Sequence, residues 1–128
     1  METLNGTTEF DAERGAVAAE LAAIVGHDGI VTRAGELAVY ECDGWTVAKS
    51  APDLLVMPRN TAQVSGVMKA LARRKIAFVP RGAGTGLSGG CLPVGAPVMI
   101  CTSRMNRIVA CDVANRRIEV IRRASSVV

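Results

Sequence analysis

The spacing of apolar residues along the chain first separates two helical segments from the rest. From Thr8 to Val25, apolar side chains such as Val17, Leu21 and Val25 recur at helical spacing, which predicts a helix that ends at Gly26. A second helix is predicted to follow Asn60, a residue suited to capping it, with Gln63 as the reciprocal partner. The apolar stripe of this second helix, which is predicted to pack in the core, consists of Val64, Val67, Met68 and Leu71.

Short uninterrupted apolar runs predict the strands. Three such runs, Asp53–Met57, Ala77–Val79 and Pro97–Cys101, indicate buried strands, and the first two flank the second helix. This order predicts a βαβ unit with parallel strands and a right-handed crossover. Two further segments, Ile108–Asp112 and Arg117–Ile121, are predicted to pair as a hairpin.

The pattern as a whole indicates an α/β (α+β) fold, in which a small parallel sheet is flanked by helices and followed by a hairpin. We divide the chain into residues 1–50, a helix followed by an irregular segment, and residues 51–128, which contain the βαβ unit. Within the irregular segment, Tyr40 and Trp45 are predicted to be buried anchors.

Composition limits the class of protein. The chain has 128 residues, 49% of them hydrophobic and 21% charged, which fits one globular domain. No apolar run approaches the ~20 residues of a membrane span, and the acidic first residues do not resemble a secretory signal. We therefore expect a cytoplasmic protein whose four cysteines are reduced thiols. Because no C-x-x-C pair occurs and His27 is distant from the cysteines in sequence, no metal site is expected.

The net charge of +3 is too small to indicate a nucleic-acid partner. The basic clusters Arg73–Lys75, Arg116–Arg117 and Arg122–Arg123 are expected at helix ends and turns, where cations are common. Aromatic residues for base stacking are also scarce, at 3% of the chain. We expect no nucleic-acid binding.

Function is indicated by a loop that follows the strand Ala77–Val79. Residues 81–90 contain five glycines together with Arg81, Thr85 and Ser88. Glycine lets the backbone adopt positive φ and approach a ligand closely, and concave runs of amide groups bind phosphates. The candidate binding residues are Pro80, Arg81, Gly82, Ala83, Gly84, Thr85, Gly86, Leu87, Ser88, Gly89 and Gly90. Arg81 either contacts a phosphate or supports the loop from the strand end.

Other glycine-rich sites fit this loop less well. Residues 84–89 match the G-x-G-x-x-G pattern of dinucleotide-binding folds, but glycines and prolines in residues 89–97 prevent the helix that this pattern requires. A phosphate-binding P-loop would end in Lys-Ser or Lys-Thr, and a kinase loop would need a following valine and lysine. A mobile surface turn remains the alternative.

The motif Pro80–Gly90 resembles the diphosphate-binding loop of flavoproteins of the vanillyl-alcohol oxidase and p-cresol methylhydroxylase type. It is most similar to the group that contains the FAD-linked subunit of glycolate oxidase and D-lactate dehydrogenases. The likeness extends from about Asp28 to about Val120. Its other motifs are Tyr40–Gly44, Val56–Pro58, Asn60–Val64 and Arg104–Ile108.

The resemblance implies the N-terminal lobe of a p-cresol methylhydroxylase-type FAD-binding domain. The implied reaction moves a hydride from the α-carbon of a small 2-hydroxy acid, such as glycolate or D-lactate, to the flavin. Electrons then pass to partner subunits that carry iron–sulfur clusters. FAD is expected to be non-covalent, because the loop has no histidine and Cys91 is interpreted as a packed residue.

Related flavoproteins continue well beyond the point at which the resemblance fades, near Glu119–Val120. We therefore expect a truncated product or one piece of a split protein, with the remaining part on another chain. No catalytic base is evident, since His27 is interpreted as a surface residue after a helix. The isolated chain is expected to lack oxidising activity and to bind FAD weakly at most. The alternative is a non-catalytic module that binds a nucleotide or a protein partner.

Overall fold

The computed structural model describes residues 6–121, with side chains from Phe10 onward. This part of the chain forms three α-helices, six strands and three short 3-10 turns. The helices are α1 (Gly6–Val25), α2 (Ala34–Leu37) and α3 (Thr61–Arg73). The strands are β1 (Ile30–Val31), β2 (Leu54–Val56), β3 (Phe78–Arg81), β4 (Val98–Cys101), β5 (Ile108–Asp112) and β6 (Arg117–Val120). Both long helices and all five strands indicated by the sequence are confirmed.

Four of the strands form one sheet in the order β1-β2-β4-β3. Strands β2 and β3 both run parallel to β4, which lies between them, whereas β1 pairs with β2 in the antiparallel direction. The strands of the predicted βαβ unit are therefore parallel but not adjacent. The carboxyl ends of β2, β4 and β3 lie at one edge of the sheet, and the glycine-rich loop begins there. Strands β5 and β6 pair separately as the predicted antiparallel hairpin.

Successive residues of a strand point to opposite sides, and in the central strands β2 and β4 the residues on both sides are buried. The edge strands β1 and β3 are only partly buried, so the prediction of a fully buried strand at Ala77–Val79 is wrong, because a strand at the edge of the sheet is covered less completely. On one side, Leu54, Val56, Val98 and Ile100 pack with side chains of α1 and α3. On the other, Leu55 and Met99 pack with Leu37 and Cys101. The first cluster joins residues from both sides of position 50, so α1 and the βαβ unit share one hydrophobic core.

The end of α1 and the start of α3 are determined by residues close to them in sequence. Helix α1 ends at Gly26, which has a φ of 85°. At the start of α3, the Asn60 side chain accepts a hydrogen bond from the Gln63 amide at 2.9 Å. The Gln63 side chain accepts in return from the amide of Arg59, one residue before the predicted partner, at 2.7 Å. Asn60 and Gln63 are therefore confirmed as capping residues, but Gln63 accepts from the amide of residue 59 instead of residue 60.

Two predicted burial positions are wrong. The side chain of Trp45 is 48% exposed, because the turn that contains it lies at the surface and only its backbone amide is held by the protein. Met68 is 44% exposed, because it lies at the margin of the α3 stripe whose centre is Val67 and Leu71. Tyr40 is half-buried. The predicted cluster Arg122–Arg123 lies outside the described residues.

Candidate functional site

The glycine-rich loop connects β3 to β4 at the carboxyl edge of the parallel strands, the edge where open α/β sheets bind ligands. It bends sharply at Gly84 and Gly89, whose φ values are 74° and 71°. Between these two bends, Thr85, Gly86, Leu87 and Ser88 are exposed to solvent. The loop is therefore curved, anchored at the sheet edge and accessible.

Arg81, the last residue of β3, supports the loop from beneath. Its side chain is buried, and Nη1 donates to the carbonyl oxygen of Cys42 at 2.9 Å and contacts Sγ of Cys91 at 3.4 Å. The guanidinium carbon also lies 5.6 Å from the centre of the Tyr40 ring, within cation–π distance. Among residues 10–121, no carboxylate lies within ion-pair distance of this guanidinium, so its positive charge acts on the loop above it.

Asp43 and Gly44 hold the loop from the side. The buried carboxylate of Asp43 accepts from the amide of Gly89 through Oδ2 at 2.8 Å, and the Gly44 amide donates to the carbonyl oxygen of Gly86 at 3.0 Å. Although Tyr40–Gly44 was part of the resemblance, no role was predicted for Asp43 or Gly44 from the sequence. The available signal was the Asp-Gly pair, which is typical of a tight turn.

Most of the loop amides have no acceptor among the described residues of the protein. Within the described part of the chain, the amides from Ala83 to Ser88 donate no hydrogen bond to another residue, whereas Gly89 donates to Asp43. A Cβ atom placed at Gly82, Gly86 or Gly90 would meet nothing within 4 Å, so the space beside these glycines is open. Unpartnered amides, two exposed hydroxyls and a buried cation beneath them fit a diphosphate group.

Other candidate groups are placed away from this arrangement or are already paired. His27 is exposed in the turn that follows α1. The Asp28 carboxylate accepts from Arg59 at 2.6 Å and also from Arg104, whose Nη1 donates to the Asp28 carbonyl oxygen at 3.0 Å. Residues 6–121 contain no cluster of histidine, cysteine and acidic side chains that could hold a metal ion.

Basic residues at the end of α3 are also paired. Arg73 and Arg74 donate to the Glu20 carboxylate at 2.8 and 2.7 Å. The hydrogen bond from Arg74 is the main reason that the pKa of Glu20 lies below its ordinary value. These arginines therefore join α3 to α1 at the protein surface. In addition, no helix of the described residues has the length and hydrophobicity needed to cross a membrane.

Comparisons with known proteins agree with this geometry. A family model described as "FAD binding domain" matches residues 52–121, more than half of the chain. The glycolate oxidase subunit GlcD of Escherichia coli is 38% identical over 85 residues, which cover 66% of this chain and 17% of GlcD. A probable mitochondrial D-2-hydroxyglutarate dehydrogenase of Oryza sativa is 35% identical over 92 residues, covering 72% of this chain and 16% of that protein.

Solved structures show the same fold. p-Cresol methylhydroxylase with bound substrate superposes with a TM-score of 0.66 and 25% identity, covering 79% of this chain and 20% of that one. An alkyldihydroxyacetonephosphate synthase superposes with a TM-score of 0.67 and 22% identity, covering 78% and 22% of the two chains. The chain spans about a sixth of the length of the curated relatives it matches. It belongs to the FAD binding domain family, and its cofactor is FAD.

Proposed function

We propose that this chain binds FAD non-covalently and supplies the diphosphate-binding lobe of an oxidoreductase that acts on a small 2-hydroxy acid. The observation that carries the proposal is the curved glycine loop, whose amides from Ala83 to Ser88 have no acceptor among the described residues. The named relatives are glycolate oxidase, D-lactate dehydrogenase and D-2-hydroxyglutarate dehydrogenase. Their common chemistry points to glycolate or D-lactate as the kind of substrate.

The proposed site consists of residues Pro80–Gly90. In it, the amides of Ala83–Ser88 and the hydroxyls of Thr85 and Ser88 donate to the diphosphate, while Arg81 supports the loop and adds positive charge. Each charge-assisted hydrogen bond contributes roughly 1.5–3 kcal/mol. About three or four such bonds are therefore sufficient for micromolar affinity before any contact with the rings of FAD. The amide of Gly89 is excluded from this set because Asp43 already accepts from it.

A non-covalent cofactor is supported by the side chains near the loop. The only histidine of the chain, His27, lies outside the loop. Cys91, the nucleophile next to Gly90, contacts the Arg81 guanidinium beneath the loop at 3.4 Å. Its sulfur therefore already has a partner within the protein, and we propose that it packs against Arg81 and forms no bond to the flavin.

A bound flavin would supply the redox chemistry, as the acceptor of a hydride from the α-carbon of the substrate. The described residues provide binding and positioning, and none of them combines a base with a carboxylate clamp beside the loop. We propose that those groups belong to a further polypeptide segment, and that electrons leave through partner subunits with iron–sulfur clusters. Residues 51–128 are proposed as the first lobe of the FAD-binding domain, and residues 1–50 as the helix and irregular segment that precede it. Four free thiols suggest a reducing compartment such as the cytoplasm.

The alternative is a nucleotide-binding module without redox chemistry. It is favoured by the two-sided hydrophobic core, which lets this part of the chain fold around the loop without a catalytic group. The oxidoreductase and the binding module both require a diphosphate at the same loop. Only the oxidoreductase would also oxidise a hydroxy acid, so an assay of that oxidation distinguishes the two functions.

Titration of the purified 128-residue chain with FAD tests the proposed site. Trp45, the only tryptophan, is half-exposed, and its amide is held by the same carboxylate that holds Gly89, so its fluorescence should report binding. We expect FAD and ADP to compete, and AMP, which lacks the diphosphate, to bind at least about tenfold more weakly. Equal affinities for ADP and AMP would contradict the proposal. Co-expression with the C-terminal part of a GlcD-type protein should then restore oxidation of a hydroxy acid if the enzyme function is right.

A further inference from the structure

The carboxylate of Asp43 connects two backbone segments that are distant in sequence. One oxygen accepts from the amide of Trp45 at 2.9 Å, within its own turn, and the other accepts from the amide of Gly89 at 2.8 Å. The side chain is 5% exposed, and within residues 10–121 it forms no ion pair. A buried carboxylate is stable in such a place only if its oxygens accept hydrogen bonds, and here each oxygen accepts one from a backbone amide.

The bond from Gly89 holds the loop at one of its two bends. Gly89 has a φ of 71°, so the chain bends at the residue whose amide donates to Asp43. Three residues earlier, the carbonyl oxygen of Gly86 accepts from the amide of Gly44, directly after Asp43. The second half of the loop is therefore attached at two points to one turn, while Arg81 contacts the first half at Gly84.

We propose that Asp43 is a positioning residue for the diphosphate loop: it fixes the bend at Gly89 and so sets the affinity of the loop for a diphosphate. This inference rests on the proposed function. We assign Asp43 no contact with the ligand, because each of its oxygens already accepts a hydrogen bond from an amide of the protein. Its effect is transmitted through the direction of the amides between Ala83 and Ser88.

A substitution that removes the charge of Asp43 distinguishes a positioning role from a simple electrostatic effect, because the two predict opposite changes in the affinity for a diphosphate. If the negative charge of Asp43 acted mainly by repelling a diphosphate, Asp43→Asn would strengthen binding. Positioning requires the opposite result, because an asparagine has one acceptor oxygen and places an NH2 group against one of the two amide donors. The bond to Gly89 or the bond to Trp45 is then lost, and the loop is less well fixed.

Hydrogen exchange of the ligand-free, full 128-residue chain tests whether Asp43 holds the loop. In Asp43→Asn we expect the amide that faces the new NH2 group, that of Gly89 or that of Trp45, to exchange at least about tenfold faster, with unchanged rates in β2 and β4. The matched control is Asp112→Asn, which alters a carboxylate that accepts the amide of Asn115 in the hairpin turn. Unchanged exchange at both Gly89 and Trp45 would overturn the proposal, whatever the chain binds.

Ligand affinity tests the second half of the proposal. We expect Asp43→Asn to lower the affinity for ADP and for FAD by about tenfold and to leave the affinity for adenosine unchanged. Asp112→Asn should change none of these affinities. Tighter binding of ADP, or an equal loss for adenosine, would contradict positioning. If the unmodified chain binds neither ADP nor FAD, the proposed function fails, while the exchange rates still decide whether Asp43 holds the loop.

If Asp43→Asn does not fold, the variant Gly44→Ala still tests whether the turn at residues 43 and 44 positions the loop. A Cβ atom at Gly44 would lie 3.0 Å from the carbonyl oxygen of Thr85 and 3.1 Å from that of Gly86. Gly44→Ala therefore displaces the same part of the loop from the same turn without removing a buried charge. We expect the same selective loss of ADP affinity, and an unchanged affinity would count against the role of this turn.

Discussion

The guanidinium of Arg81 occupies the space in which a Cβ atom of residue 84 would lie. Position 84 also has a φ of 74°, which side chains other than glycine rarely adopt. The buried cation and the glycine above it therefore depend on each other. Arg81 is the last residue of β3, and Gly84 makes the first bend of the loop. Their contact therefore fixes the proposed diphosphate site relative to the edge of the sheet.

Gly84→Ala should destabilise the protein by about 1–3 kcal/mol, because the alanine adopts a strained φ and displaces the guanidinium. Urea unfolding measures this loss. Gly86→Ala is the matched control within the same loop, since a Cβ there meets nothing within 4 Å and the residue has no positive φ. We expect the control to retain stability within about 0.5 kcal/mol but to lose FAD affinity, since its methyl group enters the open space. Equal losses of stability in the two variants would contradict this account.

Arg81→Met should destabilise the fold by about 3 kcal/mol. The substitution leaves the Cys42 carbonyl oxygen without its donor at 2.9 Å and removes the cation over Tyr40. Arg33→Met is the control, because the Arg33 side chain is 85% exposed and its ion pair with Glu36 is at the surface. Thermal or urea unfolding should show a change below about 0.5 kcal/mol for the control. A tolerant response to Arg81→Met would mean that the guanidinium does not support the loop.

Two positions in the predicted stripe of α3 should respond differently to truncation. Leu71 is fully buried in the core, so Leu71→Ala should cost about 2–5 kcal/mol in the free energy of unfolding. Met68 is 44% exposed, so Met68→Ala should cost less than about 1 kcal/mol. Denaturant midpoints of the two variants, measured with equal m-values, check this difference. Similar losses would place Met68 in the core, as the sequence predicted.

The ion pairs of Glu20 with Arg73 and Arg74 should make a small contribution to the free energy of unfolding, and this contribution should depend on salt. The pKa of Glu20 lies below its ordinary value of 4.5, mainly because Arg74 donates to it. A lowered carboxyl pKa stabilises the fold above the ordinary value, and this contribution is lost as pH falls through the lowered one. Glu20→Gln should therefore cost less than about 1 kcal/mol at neutral pH, and little in 1 M salt or at strongly acidic pH. A loss independent of salt and pH would indicate packing instead.

Asp53 should have the opposite pH dependence. Burial is the main reason that its pKa lies above the ordinary value of 3.8, and the charge of Asp11 adds to the effect. A raised carboxyl pKa means that the folded state retains the proton longer, so stability falls as pH rises through this range. Asp53→Asn removes the penalty and should stabilise the protein by a few tenths of a kcal/mol at neutral pH. Below pH 3.8 the gain should disappear, and an equal gain at both pH values would exclude ionisation as its cause.

Most of the fold could be predicted because its elements follow local rules. The period of the apolar residues determined α1 and α3, and Asn60 with Gln63 determined where α3 begins. The two-residue strand β1 was missed, because Ile30 and Val31 are too few to show a period and their pairing depends on Val56 across the sheet. Likewise, the position of β4 between β2 and β3 arises from a long-range pairing.

Trp45 shows where burial could not be predicted from residue type. A large aromatic side chain favours burial, but the turn that begins at Asp43 places the ring at the surface. Only the backbone amide of Trp45 is bound there, by the Asp43 carboxylate. The direction of a side chain in an irregular segment depends on contacts with distant residues, and these contacts leave no periodic signal in the sequence.

The amino-acid sequence by itself determined the helices, the apolar strands and the location of the glycine loop, because each depends on residues close together in the chain. Only the tertiary structure decided that Arg81 lies beneath Gly84 and that Asp43 accepts the amide of Gly89. Residues 43 and 89 meet because β3 and the turn after Tyr40 pack at the same edge of the sheet. Burial there excludes water, so each polar group must find its hydrogen-bond partner within the protein.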